Sequence, residues 1–122
     1  MTSQGGNESV EDSMAVFVSD VVGPESYVGF FEDDGESGYL YVSDRTTNVV
    51  IKHLQIYDCA NILKVREEDV RVVWSVNGTK CAVSIWDGIR GIIDLAKGVE
   101  GRAKLTSRST PPISDSAWLS GF

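Results

Sequence analysis

The chain carries one histidine, His53, in Ile51-Lys-His-Leu-Gln-Ile-Tyr57, and two thiols, Cys59 and Cys81. Nucleophilic catalysis would need the imidazole within reach of a thiol and of an orienting carboxylate, for which Asp58 and Asp94 are available. No nucleophile motif surrounds either cysteine. The densest carboxylate cluster is Glu32-Asp33-Asp34-Gly35-Glu36. Hard cations take oxygen ligands from such loops, but this spacing lacks the alternating acids and distant glutamate of an EF-hand. Adjacent Asp33 and Asp34 on a loop tip also lack the contrasting environments that split two carboxylate pKa values for acid–base work. Asp and Gly are instead the residues a hairpin loop demands. There is no glycine-rich phosphate loop and no zinc-ligand spacing. The expectation is a protein with no catalytic residue, metal or cofactor. The alternative is a small hydrolase-like or ligand-binding domain using a cleft near His53.

Other residues suit binding rather than catalysis. Tyr27, Phe31, Tyr39 and Tyr41 flank the acidic loop and are expected to form an aromatic face beside Asp33, Asp34 and Glu36. Tyrosine offers a large apolar area with a polar tip, which suits interfaces. A second apolar group, Trp118 with Leu119 and Phe122, closes the chain. Net charge is −7, unevenly spread: residues 1–36 hold nine of the 18 acids and none of the 11 bases, leaving the remainder at +2. An acidic front third argues against nucleic acid, whose phosphates call for Lys and Arg. It suits a basic protein partner, with association speeded by charge. No stretch approaches the roughly 20 apolar residues of a membrane-spanning helix, and the polar, acidic N-terminus does not read as a secretory signal. Two cysteines with no CxxC pair fit a reducing, cytoplasmic setting, with a Cys59–Cys81 bridge as the alternative.

The elements that must position these groups are strands. A chain of 122 residues fits one domain and can bury about two-thirds of its unfolded surface. Residues 1–13 are polar, acidic and glycine-containing, and are expected to be disordered. Residues 14–108 read as a single β domain, rich in Val, Ile, Tyr, Phe and Trp. Residues 109–122 read as an extended tail, forced by Pro111-Pro112, with Trp and Phe anchors. The clearest hairpin is Asp69–Trp86 around Asn77-Gly78, which favours a type I′ turn. Its register sets Val76 opposite Thr79, Trp74 opposite Cys81, Val72 opposite Val83 and Val70 opposite Ile85, one continuous core face. A further turn at Asp87-Gly88 leads to Ile89–Leu95, where either both faces are covered or Gly91 marks a bulge. A second hairpin over Tyr27–Val42 with a five-residue loop sets Val28, Phe30, Leu40 and Val42 on one face and Phe31, Tyr39 and Tyr41 on the other. Further strands are expected at Met14–Val22 and Val49–Tyr57, and Ala60–Glu68 reads as strand, loop or one helical turn.

The stretches Val28-Gly-Phe-Phe-Glu-Asp-Asp-Gly-Glu-Ser-Gly-Tyr-Leu-Tyr-Val42, His53-Leu-Gln-Ile-Tyr-Asp58, Val73-Trp-Ser-Val-Asn-Gly-Thr-Lys-Cys-Ala-Val83 and Ile92-Ile-Asp-Leu95 occur in that order. Together they resemble a small bacterial family, domain-of-unknown-function family 2251, over about residues 27–95. The resemblance implies a bacterial source and a stand-alone domain, and it lends no catalytic residue. The expected fold is mostly β: about six to eight antiparallel strands in meanders and hairpins, forming a curled sheet or small sandwich with at most one or two short helices. The expected function is non-enzymatic binding of a protein partner through Phe31, Tyr39, Tyr41, Asp33, Asp34, Glu36 and Trp118. A homo-dimer or larger homo-oligomer built through sheet edges is the further alternative.

Overall fold

The Asn77-Gly78 hairpin forms in the register that its alternation demands. In the computed structural model, which describes residues 16–21 and 26–122, Val70 pairs with Ile85, Val72 with Val83 and Trp74 with Cys81. These are strands β5 (Val70–Trp74), at the edge of one sheet, and β6 (Lys80–Ile85), inside it. The turn itself differs from a two-residue type I′ loop. Only Gly78 takes a positive φ, 75°, and the Ser75 carbonyl accepts from Gly78 N while Ser75 N donates to the Lys80 carbonyl. Asn77 Oδ1 instead accepts from Thr79 N, Thr79 Oγ1 and Ser75 Oγ. Val76 therefore lies in the loop, 93% exposed, and is not part of the core face. The register survives because the longer loop is still centred on Asn77-Gly78.

The next turn sits one residue earlier than Asp87-Gly88. Trp86 and Asp87, with φ of 55° and 63°, occupy its centre between paired Ile85 and Gly88. Along β7 (Gly88–Asp94), Ser84 faces Ile89 but Val83 faces Gly91, so Arg90 is the extra residue of a bulge. The bulge returns Ile93 to the core beside Cys81 and sets Ile92 beside Ala82 on the outer face, and both faces are fully buried there. β8 (Val99–Arg102) completes this sheet, in the order β5-β6-β7-β8.

The other sheet, β1 (Val16–Val21), β2 (Tyr27–Asp33), β3 (Gly38–Asp44) and β4 (Val49–Tyr57), is also an antiparallel meander. Here the sequence-based register is corrected by one residue. Asp33 pairs with Gly38, so the loop is four residues long, and Phe31 faces Leu40 while Phe30 faces Tyr41. A one-residue slip moves a strand's side chains to the opposite face. Phe31 consequently lies in the core with Leu40 and Val42, and Phe30 joins Tyr39 and Tyr41 outside.

The two sheets pack face to face as an open sandwich. Phe31, Leu40, Val42, Ile56 and Tyr57 from one meet Val72, Cys81, Val83, Ile85 and Ile93 from the other. Two glycines set the closeness: a Cβ on Gly29 would collide with Cys81 Sγ, and one on Gly91 with Ile56 Cδ1. The connection between sheets contains α1 (Ala60–Leu63) and a 3-10 turn (Glu67–Asp69), so Ala60–Glu68 takes the helical option. No disulfide joins Cys59 to Cys81.

The tail crosses the outer face of the second sheet. Ile113 N donates to the Ile89 carbonyl and Val76 N to the Gly121 carbonyl. The tail is not extended throughout: α2 (Ser116–Leu119) forms, with Asp115 Oδ1 accepting from Ala117 N as its N-cap. Lys80 Nζ donates to the Ala117, Trp118 and Ser120 carbonyls and so closes the other end. The Trp118 indole sits where Gly101 leaves room, and Gly101 shares a cross-strand row with fully buried Ala82 and Ile92. Phe122 is 40% exposed and is no anchor. The segment 1–13, expected to be disordered, lies outside the described residues.

Candidate binding face

Alternation along β2, β3 and β4 builds the outer face of the first sheet. Phe30, Tyr41 and His53 form one cross-strand row, and Glu32, Tyr39 and Gln55 the next. The rings interact: Phe30 stacks on Tyr41 at 5.0 Å, Tyr41 on Tyr39 at 5.7 Å, and Tyr39 tilts toward His53 at 6.1 Å. Offset aromatic pairs at such spacing hold one another in place. Phe30, Tyr39 and Tyr41 remain half-exposed and His53 is exposed. The contrast with the second sheet is direct, because there the outer residues Ala82 and Ile92 are sealed beside the tail.

Charge surrounds this ladder. Burial, then the neighbouring Glu32, then Tyr39 and Asp34 push the Tyr41 hydroxyl above its ordinary range, so it stays a donor. Backbone N–H groups of Ser37 and Glu36 hold the Asp34 carboxyl below its ordinary range, at 2.8 and 2.9 Å. Asp34 and Glu36 are exposed, and Glu32 is half-buried.

Two of the expected binding residues fall elsewhere. Phe31 is fully buried, for the register reason given above, and cannot form part of an exposed aromatic face. Asp33 is 4% exposed, its Oδ2 accepting from Tyr57 Oη at 2.6 Å and its Oδ1 from Gly35 N at 2.7 Å. Tyr39 and Tyr41 do lie on the outer face, with Tyr39 toward the loop that carries Asp34 and Glu36. Trp118 is half-buried on the opposite side of the sandwich. Phe30 was missed because its side of the strand hung on whether the loop held four residues or five.

The chain as a whole decides its kinship. The family described as an uncharacterized protein conserved in bacteria, domain-of-unknown-function family 2251, matches over residues 10–120. The chain belongs to that family. No curated protein and no solved structure matches it.

In this member of family 2251 the groups considered for nucleophilic chemistry are dispersed. His53 projects from the outer face of the first sheet, whereas Cys81 is buried between the sheets. Cys59 lies 3.9 Å from the Leu105 carbonyl. Asp58 pairs with Lys104 Nζ at 3.1 Å on the exposed surface. Asp94 is buried and accepts from Lys97 N. Among the described residues no three His, Cys, Asp or Glu side chains gather as a metal site, and no helix is long and apolar enough to cross a membrane.

Proposed function

We propose that this protein is a binding module without a catalytic centre, and that the outer face of its first sheet engages a basic protein. The observation that carries the reading is the half-exposed Phe30–Tyr41–Tyr39 stack beside Glu32, Asp34 and Glu36. A Lys or Arg side chain laid over such rings gains about 0.5–2 kcal/mol by cation–π attraction, and the carboxylates add direct pairing. Neither end of the chain suits this face as an occupant. The tail is engaged on the other sheet, and the N-terminal segment carries Glu8, Glu11 and Asp12, of the same sign as the face. A cytoplasmic setting is the compartment we propose, in keeping with a sequence that holds two cysteines and no CxxC pair.

Affinity capture from a bacterial cell making the protein tests this reading, run at about 0.05 M and 0.5 M salt, where screening differs severalfold. Basic proteins should be captured at low salt, lost at high salt, and lost by the Tyr39→Ser/Tyr41→Ser variant. The same proteins on all arms would refute it.

A second reading has its own observation. Edge strand β4 exposes Val49, Val50 and Ile51 at 54, 45 and 41%, while the Gln55 and Ile56 carbonyls are already taken by Arg102 NH1 and Leu105 N. A homo-dimer formed through that free end of the edge is the runner-up. A monomer by sedimentation across the accessible concentration range would remove it.

A further inference from the structure

Where the hairpin loop of β2 and β3 meets α1, the sandwich end opens into a cavity of about 490 Å³ lined by Asp33, Ala60, Asn61, Lys64, Val65 and Arg66. Ala60 N donates to the Glu36 carbonyl and ties the helix to the loop, so two elements fix the walls. The volume lies in the range of small-molecule sites.

The charges in this cavity are arranged in an unusual way. Asp33 is 4% exposed, and its two oxygens accept one hydrogen bond each, from the neutral donors Tyr57 Oη and Gly35 N. Among the described residues no Lys, Arg or His forms an ion pair with it. A carboxylate has about four acceptor sites, so about two are left, and a buried anion is costly without a counter-charge. Burial first, then the bond to Asp33, raises the Tyr57 pKa, so the phenol keeps its proton and goes on donating. Cationic Lys64 and Arg66 line the same cavity but are exposed, and Arg66 is partly occupied by Glu68 at 3.3 Å. Lys64 also takes a left-handed φ of 53° at the C-cap of α1, where glycine is the favourable residue.

A simple amine would be repelled by Lys64 and Arg66, and a simple anion by Asp33. A molecule with both charges answers both ends. Ala60 and Val65, 7% and 8% exposed, supply apolar wall to the same cavity. We propose that this cavity binds a free aliphatic amino acid, its ammonium group held by Asp33, its carboxylate by Lys64 with Arg66 beside it, and its side chain against Ala60 and Val65. This site is separate from the aromatic face and does not depend on that reading.

Calorimetric titration of the full chain with leucine, leucinamide and 4-methylpentanoate tests it. Leucine should bind saturably, with leucinamide (no carboxylate) and 4-methylpentanoate (no ammonium) each weaker by about tenfold or more. Asp33→Asn should weaken leucine binding by a similar factor. Because Asp33→Asn could disturb the loop, Lys64→Gly is the companion variant: it should weaken leucine binding while keeping or raising the thermal midpoint, since glycine takes positive φ without strain. No saturable binding of leucine up to about 10 mM, where even millimolar affinity would register, overturns the proposal. So does leucinamide or 4-methylpentanoate binding as well as leucine, or leucine binding unchanged in Lys64→Gly.

Discussion

Phe30 and Phe31 are neighbours of identical chemistry on opposite faces of one strand, and their separate truncation to alanine tests the register on which the binding face depends. Phe31 is fully buried, faces Leu40 across the ladder and lies 6.0 Å from the Tyr57 ring. Phe31→Ala leaves a cavity in the shared core and should cost about 3–5 kcal/mol. Phe30 is half-exposed, and its main partner is the Tyr41 ring at 5.0 Å. Phe30→Ala should lose that ring pair, about 0.5–1.5 kcal/mol, and little more. Against a typical domain stability of about 5–15 kcal/mol, the first change removes a large fraction and the second a small one. Urea unfolding followed by tryptophan fluorescence reads both, provided the slope m stays constant so that the midpoints compare. Equal costs, or a larger cost for Phe30→Ala, would refute the register and dismantle the aromatic face with it.

Tyr57→Phe removes one of the two donors to buried Asp33 and should cost about 1–3 kcal/mol by urea midpoint, while Tyr39→Phe, on the outer face, should cost under about 0.5 kcal/mol. Tyr41 and Tyr57 both have folded pKa values above the ordinary 10.0. Their contribution is therefore complete below pH 10 and is lost as pH rises beyond it, because the unfolded chain gives up those protons first. Thermal midpoints taken from pH 8 to 11 should fall above pH 10, and less steeply for Tyr57→Phe. Asp34 has a lowered pKa, so its contribution is complete above about pH 4 and is lost as acid protonates it. Deleting residues 114–122 removes α2 and the Lys80 contacts, and should uncover Ala82 and Ile92. A lowered thermal midpoint with new binding of a hydrophobic dye is expected, and an unchanged midpoint would show that the tail contributes nothing to that face.

The hairpin from Val70 to Ile85 was legible in the sequence because alternation and turn residues both centre on Asn77-Gly78, and a change of turn type leaves that centre in place. The hairpin from Tyr27 to Val42 was not, because Asp33-Asp34-Gly35-Glu36-Ser37 closes equally well on paper with four loop residues or five. The choice is made by side chains that alternation ignores: Asp34 capping the loop, and Asp33 anchored to Tyr57, which lies 24 residues further on. Gly91 did signal a bulge, but the residue it expels, Arg90, is buried with Nε on the Ile85 carbonyl and NH1 on the Thr110 carbonyl of the incoming tail. A buried arginine that binds its own backbone leaves no local mark in a sequence. The tail's helix was hidden for a similar reason. Four residues are too few to show periodicity, and the group that closes the helix, Lys80, is 38 residues from Trp118.

The central claim, that the outer face of the first sheet is where a basic protein docks, is tested most directly by a photo-crosslinking amino acid placed at Tyr39 in a living bacterial cell, with Leu119 in the tail as the control position. Irradiation should join Tyr39's position to one or a few basic proteins and leave the Leu119 position without those adducts. No adduct at Tyr39, or the same adducts at both positions, would contradict the claim.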